Sequence, residues 1–111
     1  MEKETNFFKT ILLELQNIDP EFPIQYAICL SEIALNEGLS MSDLAKKTGM
    51  PLSTVSRIAS ALSKNKPRGR SYNFIQIKIS PIEKRKKQIF LTQNGRNTLR
   101  NITEKIAHFR K

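Results

Sequence analysis

Apolar positions along the chain recur with two different spacings. Between residues 5 and 18, Phe7, Phe8, Ile11, Leu12 and Leu15 share one side of a 3.6-residue period, which predicts an amphipathic helix. Asp19 to Pro23 carries two prolines and ends it. Residues 23–37 are apolar on most sides and predict a largely buried helix, stopped by Gly38. After an extended link at Leu39, Ser40 and Asp43 have the capping-box spacing ahead of a short helix anchored by Leu44 and Ala45. Gly49 breaks that helix. Val55, Ile58, Ala59 and Leu62 then recur at i, i+3, i+4, i+7, the buried stripe of a second short helix for which Ser53 is the expected cap. Beyond a polar loop at 65–73 the period drops to two. Ile75, Ile77 and Ile79 alternate with Gln76, Lys78 and Ser80, which predicts a strand over 74–80. Pro81 to Lys87 is a charged turn, and Gln88 to Leu91 returns as a second strand. Thr92 or Asn94 can cap a last helix, where Leu99, Ile102, Ile106 and Phe109 form a narrow apolar seam.

The 111 residues are enough for one core, so the whole chain, 1–111, is expected to be a single domain. No apolar run is long enough to span a membrane and no signal-peptide pattern appears, which points to an intracellular protein. Charge changes the picture more. Residues 1–45 hold eight acidic and two basic side chains, a balance of −6, whereas residues 46–111 hold two acidic and seventeen basic, a balance of +15. Such segregation is the electrostatic footprint of a polyanion-binding surface, whose affinity depends steeply on salt. The cations are not gathered opposite one apolar helical stripe, which argues against a membrane surface.

Residues 40–65 therefore form a helix-turn-helix, with Ser53, Thr54, Ser56, Arg57 and Ser60 left on the outer face of the second helix. Short side chains let a helix lie deep in the major groove, and hydroxyls and Arg reach phosphates and base edges. Lys64, Lys66, Arg68 and Arg70 follow as candidate phosphate contacts. The hairpin at 74–91 carries Glu83, Lys84, Arg85, Lys86 and Lys87 at its tip. Four consecutive cations repel one another unless a polyanion is present, and a hairpin tip of this kind serves the minor groove or the phosphates. The expected architecture is mainly α with a small β-hairpin (α+β), a winged helix-turn-helix. Catalysis has no foothold: there is no metal-ligand spacing, nucleophile motif or phosphate-cradling loop, and no cofactor is expected. His108 is a lone histidine near the C-terminus, and Cys29, alone in an apolar helix, is expected to be a buried structural thiol.

The segments SDLAKKTG (42–49), STVSRIASAL (53–62) and EKRKKQIFLTQNG (83–95) resemble the MarR family of winged-helix regulators. Glu83 and Arg85 occupy that family's acid and Arg wing positions, and Leu91, Thr92 and Gly95 fit its downstream element. The resemblance implies that residues 53–60 enter the major groove and that Arg85 enters the minor groove, oriented by an ion pair with Glu83. It also implies that the terminal helices, 1–20 and 92–111, form a two-fold dimer interface from Phe7, Phe8, Ile11, Leu12, Leu15, Leu99, Ile102, Ile106 and Phe109. Family members often bind small anionic or aromatic effectors, for which Phe22 and Tyr26 are candidate lining residues.

The favoured function is a sequence-specific regulator of transcription, binding double-stranded DNA as a homodimer in the nucleoid, with repression the expected sense. A DNA-binding protein of phage or plasmid replication, partition or maintenance uses the same features. A protein-interaction module on a winged-helix frame is the third possibility.

Overall fold

The computed structural model describes residues 1–64 and 72–109. Five helices and one hairpin follow in the order α1 (Glu2–Ile18), α2 (Ile24–Leu35), α3 (Met41–Thr48), α4 (Leu52–Leu62), β1 (Ile75–Ile79), β2 (Lys87–Leu91) and α5 (Gln93–His108). Helices α2, α3 and α4 pack on one another, and α2 and α3 on β2, around a core of Cys29, Ile33, Leu44, Val55, Ile58 and Ile89. α1 and α5 cross at one end, giving an elongated molecule of 50 × 29 × 26 Å.

α3 begins as its sequence dictates. The Ser40 hydroxyl accepts the Asp43 N–H at 3.1 Å, and the Asp43 carboxylate accepts the Ser40 N–H, closing the capping box. Gly49 ends it in the left-handed region, φ 73°, and this is the turn of the helix-turn-helix.

Other boundaries moved. α1 starts at Glu2, because Met1 offers its carbonyl to the Thr5 N–H and hydroxyl, and Glu2 and Glu4 suit the positive end of a helix. α2 stops at Leu35, where the Asn36 side chain takes the Glu32 carbonyl, so Gly38 lies in the following turn. α4 is capped by Pro51 rather than Ser53: the Pro51 carbonyl accepts the Thr54 and Val55 N–H groups, so Leu52 is already helical.

α2 departs furthest from expectation. Cys29, Leu30 and Ile33 are buried, but Ile24, Ile28 and Leu35 face outward. It is a half-buried helix with a second apolar side. Cys29 is fully enclosed, with Sγ 3.9 Å from Met50 Sδ, and burial pushes its thiol pKa up, which suits a structural thiol.

The hairpin is antiparallel, with Ile75 opposite Leu91 and Ile79 opposite Lys87. Leu39 joins it by an isolated bridge to Ile89, its N–H and carbonyl groups engaged in the turn and with β2. Gly95, in the first turn of α5, is buried against the backbone of Phe74: a Cβ there would lie 2.1 Å from the Phe74 oxygen.

Candidate nucleic-acid interface

α4 is amphipathic in the way its spacing requires. With Val55, Ile58, Ala59 and Leu62 buried, Ser53, Ser56, Arg57 and Ser60 make the opposite i, i+3, i+4, i+7 stripe, flanked by Thr54. Ser53, Ser56 and Arg57 are exposed, and Thr54 and Ser60 are half-buried. Among the described residues none of these five side chains is spent on an intramolecular hydrogen bond or ion pair. Their polar ends are available to another molecule. Leu52, exposed beside them, supplies an apolar contact at the leading end of the helix.

The hairpin tip is a built turn. Ser80 Oγ accepts the N–H groups of Ile82 and Glu83, at 3.3 and 3.2 Å, while the Ser80 N–H donates to the Lys86 carbonyl at 2.8 Å. Lys84, Arg85, Lys86 and Lys87 are all exposed. The Glu83–Arg85 ion pair implied by family resemblance is not formed. Among the described residues the ion pairs join Met1 to Glu4, Arg96 to Glu37 and Lys105 to Glu14, and none involves the tip. The tip therefore carries its cations without an ion pair among the described residues.

The wing is tied to the helices through the turn before α3. Gly38 donates to the Ile89 carbonyl at 2.7 Å and Ile89 donates to the Leu39 carbonyl at 3.0 Å. Glu37 adds a latch: its Oε1 accepts both the Leu91 N–H and the Arg96 guanidinium, each at 2.8 Å. One carboxylate thus holds the end of β2 and the first turn of α5 to the end of α2. The Asp43 carboxyl is held below its usual range, first by the backbone N–H and hydroxyl of Ser40, with Lys86 and Lys46 adding to the effect.

Lys46 and Lys47, exposed in the last turn of α3, were missed in the sequence, although paired lysines closing the first helix of a helix-turn-helix were a usable signal. Lys78 sits over the Phe90 ring, 5.4 Å from its centre, on the outer side of β1. Lys64 is exposed at the end of α4. Lys66, Arg68 and Arg70 lie outside the described residues.

The terminal helices meet within one chain: Phe7 and Phe109 pack edge to face at 5.4 Å, and Lys105 reaches Glu14 at 2.6 Å. Phe7, Ile11, Leu15, Leu99, Ile102, Ile106 and Phe109 are half-buried there, whereas Phe8, Leu12 and also Leu13 remain exposed. Phe22 and Tyr26 form an aromatic cluster with Tyr72, the Phe22 and Tyr72 rings 5.2 Å apart and the Tyr72 hydroxyl on Asp19 at 2.7 Å. Phe22 borders a groove of about 370 Å³ with Leu12, Leu13 and Ile24; Tyr26 does not. His108 is exposed. Among the described residues there is no group of side chains able to hold a metal ion, and no helix is long and apolar enough to cross a membrane.

Known structures repeat this arrangement over nearly the whole chain. The MepR–DNA complex of S. aureus superposes with a TM-score of 0.79 at 19% identity, covering 97% of this chain and 82% of that one. RV1404 from Mycobacterium tuberculosis gives 0.78 at 18% identity over 95% and 67% of the two chains. The transcriptional repressor CouR, bound to a 23-mer DNA duplex, gives 0.66 at 22% identity over 94% and 67%. The fold is the MarR-type winged helix. MarR itself matches at a TM-score of 0.66, and 19% identity. Residues 33–65, from the end of α2 through α4, match the IclR helix-turn-helix domain family, which agrees on the helix-turn-helix within this winged helix. No curated protein sequence matches the chain.

Proposed function

We propose that this winged helix binds double-stranded DNA sequence-specifically and regulates transcription as a homodimer, in the repressing sense. The observation that carries the proposal is a Ser/Arg stripe on α4 that makes no hydrogen bond or ion pair among the described residues, together with four exposed cations on the hairpin tip that form no ion pair there. α4 enters the major groove, where Ser53, Thr54, Ser56, Arg57 and Ser60 meet base edges and phosphates. Lys84 to Lys87 lie along the adjacent minor groove, and Lys46, Lys47 and Lys64 take phosphates on either side. The cytoplasm, at the nucleoid, is where such a protein works.

Dimerisation is supported by the apolar surface left on the acidic half: Phe8, Leu12 and Leu13 on α1, with Ile24, Ile28 and Leu35 on α2. A two-fold dimer would set two copies of α4 about 34 Å apart, one turn of DNA. Similarity to the repressor CouR on its duplex supports the repressing sense.

Arg57→Ala separates readout from mere attraction. It is expected to weaken the preferred site by about 1–3 kcal/mol while changing affinity for mixed-sequence DNA far less. Lys86→Ala is expected to weaken both duplexes by a similar factor. Fluorescence anisotropy on the two duplexes decides, and equal losses for Arg57→Ala would remove Arg57 from base readout.

A further inference from the structure

The core-facing row of β1 runs out of the core and into solvent. Ile75 is 1% exposed, Ile77 37% and Ile79 65%, and beyond the strand Ile82 reaches 91%. Single apolar side chains are ordinary on a surface. Ile82 is set apart by its position. It stands in the turn between β1 and β2, held there because its own N–H and that of Glu83 both donate to Ser80 Oγ. It is followed within two residues by four consecutive exposed cations, Lys84 to Lys87. Only a polyanion matches that collar, so what the collar grips decides what Ile82 touches.

We infer that Ile82 is an apolar wedge for the DNA minor groove. With Lys84, Arg85, Lys86 and Lys87 on the phosphates of the two groove edges, the branched side chain is pressed between the sugar walls and against a base step. An apolar side chain inserted there partly unstacks the step, widens the groove and bends the duplex toward the major groove. Ile79, two-thirds exposed, continues the apolar surface behind the tip and covers the opened groove wall. The bend turns flanking DNA toward the major-groove side, away from the wing. It also adds selectivity without base hydrogen bonds: pyrimidine–purine steps such as TA open easily, whereas stiff A-tracts resist. Ile82 is in this view a specificity-determining residue of the wing, and the inference rests on the DNA-binding reading above.

The test is ligase-catalysed circularisation of a mixed-sequence duplex of about 150 base pairs, near one persistence length, with occupancy measured in parallel by anisotropy. Ile82 is too exposed for its replacement to affect folding, so Ile82→Ala, Ile82→Ser and Ile82→Leu all report on DNA. At matched occupancy the wild-type protein is expected to raise circularisation roughly tenfold, Ile82→Leu to keep most of the gain, and Ile82→Ala and Ile82→Ser to lose it. Placing TA steps in the duplex should strengthen wild-type binding more than Ile82→Ala binding. Circularisation by Ile82→Ala equal to wild type overturns the wedge, as does a wild-type protein that occupies the duplex without bending it. In both cases the DNA-binding reading survives. A wild-type protein that fails to occupy the duplex at all overturns that reading as well, and the anisotropy arm tells the cases apart.

Discussion

Replacing Lys84, Lys86 and Lys87 together by Ala is expected to lower affinity for mixed-sequence DNA about 100-fold at physiological salt while leaving the fold intact. All three side chains are exposed and, among the described residues, none forms an ion pair, so what the folded protein loses by their removal is the attraction of Lys86 for the exposed Asp43 carboxylate. The diagnostic quantity is the salt dependence. Each phosphate contact contributes roughly 0.9 to the slope of log affinity against log salt concentration, so the slope should flatten by roughly 2–3. Arg85 and Ile82 are retained, so only the three lysines are tested. Anisotropy titrations at several salt concentrations measure both effects, with thermal melting as the control for folding. An unchanged slope would mean that the hairpin does not touch DNA.

Gly95→Ala is expected to destabilise the domain by roughly 3 kcal/mol, lowering Tm by roughly 10–20 °C. Helix propensity alone gives the opposite sign, since Ala is favoured over Gly inside a helix by about 1 kcal/mol. Packing decides against propensity here. The new methyl would stand 2.1 Å from the carbonyl oxygen of Phe74, and that oxygen also accepts the Thr92 N–H at 2.9 Å. The neighbouring N–H of Phe74 is in turn bonded to the Leu62 carbonyl at 2.8 Å, so relief requires moving the start of α5 away from the end of α4. Asn94→Ala is the control, because it removes only one exposed hydrogen bond to the Tyr72 carbonyl, worth about 1 kcal/mol or less. Circular-dichroism melts of the two variants settle the matter. A Gly95→Ala protein as stable as wild type would mean that α5 does not close onto Phe74.

Gly95 illustrates what a sequence discloses and what it does not. The reading helix was legible because its signals are local: a capping box at Ser40 and Asp43, a left-handed Gly49, and a stripe of four buried residues from Val55 to Leu62. The hairpin was legible from its alternation of Ile with polar residues. Gly95 was recognisable through family resemblance, but its reason is a contact with residue 74 that spacing does not encode. The Glu37 latch was invisible for the same cause. Its partners Leu91 and Arg96 lie more than fifty residues away, and a lone Glu after a helix carries no pattern. Ser53 was expected as a cap from side-chain preference, yet the Pro51 carbonyl took that place through backbone geometry alone. Apolar periodicity also overstated burial. Ile24, Ile28, Leu35 and Ile79 obey the pattern of their elements and still face outward, because a domain this small has too little core to cover every apolar face.

Those outward faces bear on function rather than on folding. Leu12 and Leu13 lie with Ile24 about a groove on the acidic half of the chain, opposite in charge to the half that carries α4 and the wing. The division matches an assembly in which the acidic half meets a second copy while the basic half meets DNA.

The most direct measurement is selection of bound duplexes from a random DNA library by the full-length protein at physiological salt, followed by sequencing. Enrichment of a palindrome with half-sites about one helical turn apart is the predicted result, since it requires base readout and two-fold pairing together. Recovery of no motif, with binding that responds to salt alone, would contradict sequence-specific recognition by α4.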